Sequence, residues 1–121
     1  MKRATIQIRS DADAVMREAA EGFVDAWKKG SSDPAAIFTF SSPAQLFSVI
    51  TPKRWELIEH LQKIGPSSIR GLARSLERDV KRVHEDVTAL IDWRIVQRTE
   101  DALVCVPFDV IHADFDLRAV A

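Results

Sequence analysis

Between Thr51 and Ile91 three helix starts follow one another with breakers between them, and this arrangement restricts the fold more than any other feature of the chain. Thr51 stands as an N-cap before Pro52, a residue suited to the first helical position, and Trp55, Leu57, Ile58, Leu61 and Ile64 then recur at helical spacing. Gly65 and Pro66 stop that helix. Ser68 caps a short second one carrying Ile69, Leu72, Ala73 and Leu76. Glu77 and Arg78 make a turn, Asp79 caps a third helix, and Val80, Val83, Val87, Leu90 and Ile91 supply its apolar face. Two apolar runs, Ile95 to Gln97 and Leu103 to Val106, flank the polar stretch from Arg98 to Ala102 and read as a hairpin. Helix, helix, helix, hairpin is the order of a winged helix-turn-helix, so the expected class is α+β.

The residues before this region predict an extension. Ile6 and Ile8 alternate enough for a short strand, expected at a sheet edge. From Ala12 to Lys29 the stripe Val15, Ala19, Phe23 and Trp27 predicts an amphipathic helix, ended by Gly30 and a Ser-Ser-Asp-Pro linker. Ile37, Phe38 and Phe40 suggest a second strand, and Ser42 before Pro43 starts a further short helix. Residues 1–36 are therefore read as a strand and amphipathic helix, a candidate dimerisation element, and 37–121 as the winged helix-turn-helix DNA-binding domain with an acidic C-terminal segment. The Phe23 and Trp27 stripe is compatible with core packing or a homodimer interface, and less readily with a dock for another protein.

Charge distribution matters more than total charge. The chain of 121 residues has a formal net charge of -1. Residues 51–99 hold ten Lys and Arg against seven Asp and Glu, whereas 100–121 hold one against five. Within Ile69 to Arg82 five bases, Arg70, Arg74, Arg78, Lys81 and Arg82, face only Glu77 and Asp79. A local basic patch of this kind is what attraction to phosphate requires. Cys105 is the only cysteine, which excludes an intrachain disulfide, a cysteine zinc finger and a CxxC redox site. No membrane span or secretion signal is read in the sequence, and a reducing cytoplasmic compartment is expected.

On the third helix the apolar residues cluster on one side and leave Lys81, Arg82, Glu85 and Thr88 on the other. Arg82 and Lys81, in its first turn, are placed to meet base edges or phosphate, and Glu85 to accept from a cytosine amine. Arg70, Arg74 and Arg78 suit phosphate contacts, which position rather than specify. Arg98, by the hairpin turn, is the candidate wing contact. A Lys-Arg pair on an amphipathic helix is also compatible with a merely solvated face, and only the flanking helix, turn and hairpin favour the DNA reading.

Enzyme chemistry finds little support. His112, Asp114 and Asp116 form HxDxD, which on a strand would share one face and offer a metal site, but the pattern reads more simply as a polar face alternating with Ile111, Ala113, Phe115 and Leu117. His60 and His84 are read as surface or core-margin residues, and Cys105 as packing. No phosphate loop, nucleophile elbow or HExxH occurs. No enzyme activity, metal or cofactor is expected.

The run LFSVITPKRWELIEHLQKIGPSSIRGLARSLERDVKRVHEDVTALIDWRIVQRTE, continued by VPFDVIHADFDL, resembles small stand-alone winged-helix transcriptional regulators of bacteria and archaea, related in fold to the MarR and ArsR groups. The resemblance covers roughly residues 37–117, and the helix ending in AWKKG is similar to that family as well. It implies sequence-dependent binding of double-stranded DNA, no enzymatic activity, Ser68 to Leu76 as supporting helix and Asp79 to Leu90 as reading helix. Paired DNA half-sites make a homodimer the expected form. Because some genes of that family sit beside small toxin genes, the resemblance also admits an antitoxin-like protein with a small protein partner. Three positions depart from the pattern. Gly71 replaces the Glu of a capping box, Arg94 stands where a helix-ending Gly is usual, and Ala102 replaces the hairpin Gly, which argues against a positive φ there.

Overall fold

The computed structural model describes residues 2–9 and 36–117. The helix expected over 12–29, with Phe23 and Trp27, lies outside the described residues. The described elements are strand β1 (Arg3–Ile8), strand β2 (Ala36–Phe40), helix α1 (Pro43–Val49), helix α2 (Pro52–Ile64), helix α3 (Ile69–Leu76), helix α4 (Val80–Asp92), and strands β3 (Gln97–Arg98), β4 (Val104–Cys105) and β5 (Val110–Ala113). The class is mixed α+β.

Contacts divide the chain into two compact units, which part at Leu46/Phe47 and Asp109/Val110. The first unit is built on a three-stranded sheet in the order β2-β1-β5. β1 pairs parallel with β2, Ile6 opposite Phe38, and parallel with β5, Ala4 opposite Ile111. β1 is thus the central strand, not the edge strand that its short alternating pattern suggested. Its two neighbours arrive from distant parts of the chain, and such pairings leave no turn signature to read. Ala4, Ile6, Phe40 and Leu46 are buried. The acidic C-terminal pattern packs less than expected, because β5 ends at Ala113 and Leu117 is 81% exposed.

The second unit holds the three capped helices and the hairpin. Thr51 Oγ1 accepts from the Arg54 N–H, Ser68 Oγ from the Gly71 N–H at 3.0 Å, and Asp79 Oδ2 from the Arg82 N–H at 3.2 Å. Each cap satisfies one of the donors that a helix start leaves orphaned. Leu57, Ile58 and Leu61 of α2, Leu72 and Ala73 of α3, and Val83, Val87 and Leu90 of α4 are all buried, joined by Ile95, Val96 and Val104. Val80, counted in the apolar stripe of α4, is 44% exposed because it opens the helix at its first position.

Two helix ends close in the same way. At the end of α3 the Arg78 N–H donates to the Ala73 carbonyl and the Glu77 N–H to the Arg74 carbonyl, with Glu77 at φ 55°. At the end of α4 the Ile95 N–H donates to the Leu90 carbonyl and the Arg94 N–H to the Ile91 carbonyl, with Arg94 at φ 64°. Both are Schellman closures whose left-handed residue is not glycine. Arg94 therefore takes up the glycine-like conformation in spite of its side chain.

The hairpin pairs Gln97 with Cys105 and Arg98 with Val104, in strands of two residues each. Its turn is closed by Thr99 N–H to the Leu103 carbonyl and Ala102 N–H to the Thr99 carbonyl. Ala102 sits at φ 61°, so the turn does need a positive φ, and the expectation drawn from the missing glycine is corrected. Ser67, just before α3, adds a bridge on the other side of β4, exchanging two hydrogen bonds with Val104. The hairpin is anchored to the start of α3 by that bridge.

Candidate nucleic-acid interface

The first turns of α2 and α4 share a cleft of about 560 Å³ in the second unit. Lys81, Arg82 and Glu85 of α4 line it, with Thr51 and Lys53 at the start of α2 and Asp79 between α3 and α4. Lys53, Lys81, Arg82 and Glu85 are exposed. Val83, Val87 and Leu90 fill the opposite side of α4 and are fully buried, so the helix separates an anchored face from a wetted one.

What holds the two helix starts together is an ion triad in the cleft wall. Asp86 Oδ1 accepts from Arg54 Nε at 3.0 Å and Asp86 Oδ2 from Arg78 Nη2 at 2.7 Å. Arg54 also donates through Nη1 to the Val49 carbonyl at 2.7 Å. The three side chains are only 16–21% exposed, which makes these charge-assisted bonds stronger than surface pairs. Arg78 Nη1 is buried without a partner among the described residues.

The expected site residues fall into three groups. Lys81, Arg82 and Glu85 share the cleft. Arg70 and Arg74 are exposed on α3 and Arg98 is exposed on β3, none of them in the cleft lining. Thr88 is exposed on α4, but its hydroxyl donates to the His84 carbonyl at 2.8 Å, which leaves its oxygen only as an acceptor. Arg78, expected as a phosphate contact, lines the cleft as well, with its Nη2 bonded to Asp86 Oδ2, a carboxylate at the margin of the α4 stripe that needs a cation.

Lys53, Arg54 and Asp86 were missed by sequence reasoning. For Asp86 there was a signal: it lies three residues from Val83 and four from Leu90, so it borders the buried stripe, where a charge must be paired. Nothing local points to Lys53, whose neighbours in the cleft are on another helix.

His112, Asp114 and Asp116 line a separate cleft in the first unit beside Thr5, Gln7 and Arg9. The single strand face imagined for HxDxD does not exist, since β5 stops before Asp114. Among the described residues no group of three or more His, Cys, Asp or Glu is arranged to hold a metal. His60 Nε2 is hydrogen-bonded to Ser75 Oγ, joining α2 to α3. Among the described residues no helix is long and apolar enough to cross a membrane.

Fold and cleft define a small α+β protein that presents a charged concavity, lined by four basic and three acidic side chains, at the starts of α2 and α4. The chain belongs to the HVO_A0114 family, whose model matches residues 49–113. That match takes in α2, α3, α4, the hairpin and β5. No curated protein and no solved structure matches the chain.

Proposed function

We propose that this protein is a winged helix-turn-helix transcriptional regulator that binds double-stranded DNA, works as a homodimer in the cytoplasm and catalyses no reaction. The observation that carries the reading is the division of α4: Lys81 and Arg82 stand exposed in its first turn while Val83, Val87 and Leu90 lock the opposite face into the core. A helix held in this way keeps its first-turn side chains at a fixed attitude, which reading base edges in a major groove requires. α3 and the left-handed Glu77 turn serve as the supporting half of the motif, with Arg70 and Arg74 on the backbone. The β3–β4 hairpin with Arg98 serves as the wing.

The test is selection of bound sites from a random duplex pool by the purified protein at two salt concentrations. Enrichment of a palindromic motif at both supports the dimeric regulator. Binding that enriches nothing and disappears with salt is nonspecific phosphate attraction and rejects it.

A second reading, a protein-interaction or antitoxin-like module, is favoured by one observation. Ile37 on edge strand β2 is 52% exposed, Val110 on edge strand β5 37%, and Leu117 81%. Apolar side chains on sheet edges are the usual material of association surfaces. A monomeric mass in sedimentation together with absence of duplex binding would move this reading ahead.

A further inference from the structure

We propose that Lys53, at the start of α2, is a backbone-phosphate contact for bound duplex DNA, completing a three-cation seat with Lys81 and Arg82. The inference rests on the DNA-binding reading above and extends it to a helix which that reading does not use. Lys53 is 28 positions before Lys81 in the chain, yet both line the same cleft. The bond from Arg54 Nε to Asp86 Oδ1 explains why. It fastens the first turn of α2 to the second turn of α4, and Lys53 is the residue immediately before Arg54. Thr51 capping and Pro52 at the first position set the direction from which α2 enters the cleft.

The charge inventory of the cleft favours an anion with exposed oxygens. Arg54 and Arg78 are both bonded to Asp86, which places their charge in the cleft wall rather than at its mouth. Lys53, Lys81 and Arg82 make no ion pair with the described residues, and all three are exposed. Of the acids, Asp79 accepts the Arg82 backbone N–H as helix cap, which leaves Glu85 as the one lining carboxylate without a bond among the described residues. Three cations free of ion pairs, Lys53, Lys81 and Arg82, against the carboxylates of Asp79 and Glu85 leave the cleft mouth with a positive balance, which suits a phosphodiester seated toward Lys53. A lysine is a compact point charge with rotatable donors, which suits phosphate rather than base readout.

The experiment is fluorescence anisotropy of wild type, Lys53→Ala, Arg82→Ala and Lys63→Ala on the selected duplex and on a scrambled one across a salt series. Lys63 is exposed near the other end of α2, paired with Glu59, and serves as the control. Lys53→Ala should weaken both duplexes alike, about three- to tenfold at low salt, and lower the salt slope by about 0.9. Lys63→Ala should leave both quantities unchanged. Unchanged affinity and slope for Lys53→Ala, with Arg82→Ala still impaired, overturns the Lys53 contact and leaves the DNA reading standing. Wild type that binds neither duplex overturns both. Inorganic phosphate at millimolar concentration should compete no better than its ionic strength predicts; stronger competition assigns the seat to a free phosphate ligand and overturns the duplex contact.

Discussion

Asp86 of α4 accepts from Arg54 Nε of α2 on one carboxylate oxygen and from Arg78 Nη2 on the other, at 3.0 and 2.7 Å. A single carboxylate therefore bridges two guanidiniums that are both largely removed from solvent, and the triad keeps one net positive charge. Removing one member of such a group leaves buried charge uncompensated, which costs more than the group itself contributes to stability. Asp86→Asn is expected to lower stability by about 2 to 4 kcal/mol, discounted from a fully buried pair because the side chains keep some exposure. Urea unfolding followed by circular dichroism measures it, and a midpoint equal to wild type would show that the triad is not a structural clamp.

Arg94 and Ala102 occupy left-handed conformations at φ 64° and 61°. For residues with a Cβ this region costs about 1 to 2 kcal/mol, part of which glycine gives back through its freer unfolded chain. Arg94→Gly and Ala102→Gly are each expected to raise stability by about 0.5 to 1 kcal/mol. A thermal midpoint that drops for Arg94→Gly would mean that its side chain holds the Schellman closure by an interaction worth more than the backbone strain.

Gly71 combines two opposing effects. Its position inside α3 costs about 1 kcal/mol in helix propensity, yet a Cβ built there would stand 3.0 Å from Ser68 Oγ, the atom accepting its own N–H. That oxygen ends a short side chain with room to give by a few tenths of an ångström. Gly71→Glu, which also restores the reciprocal bond of a capping box, should raise stability by about 0.5 to 1 kcal/mol. Differential scanning calorimetry decides the sign; a loss means that the cap and the Cβ exclude each other.

Arg82 and Arg74 are expected to divide recognition between them. Arg82→Ala should cost about 1 to 3 kcal/mol at the preferred site and relax preference at one base pair. Arg74→Ala should weaken preferred and random duplexes equally, with a salt slope smaller by about 0.9. Anisotropy titrations on matched and scrambled duplexes separate the two. Equal losses on both duplexes for Arg82→Ala would make it a phosphate clamp, and no loss from either variant, both folded, would remove this face from DNA binding.

The helix boundaries were legible because their causes are local. Thr51, Ser68 and Asp79 each bond an N–H three residues ahead, so a short window of sequence contains the whole interaction. The apolar stripe of α4 was legible for the same reason, since Val83, Val87 and Leu90 share a face by helical geometry alone. The bond from Arg78 to Asp86, the nearness of Lys53 to Lys81 and the central place of β1 were not. Asp86 could have taken other cations, and only the tertiary arrangement of the helices brought Arg54 of α2 to it. β1 pairs with β2 and with β5, whose residues come more than 30 and more than 100 positions later, and parallel pairing needs no turn that a sequence would advertise. Ala102 adopts a backbone that its own side chain disfavours because the pairing of β3 with β4 requires a tight return there. Local chemistry thus set where each element begins and which face it buries, while which charges meet and which strand lies at the centre depended on contacts between segments far apart in the chain.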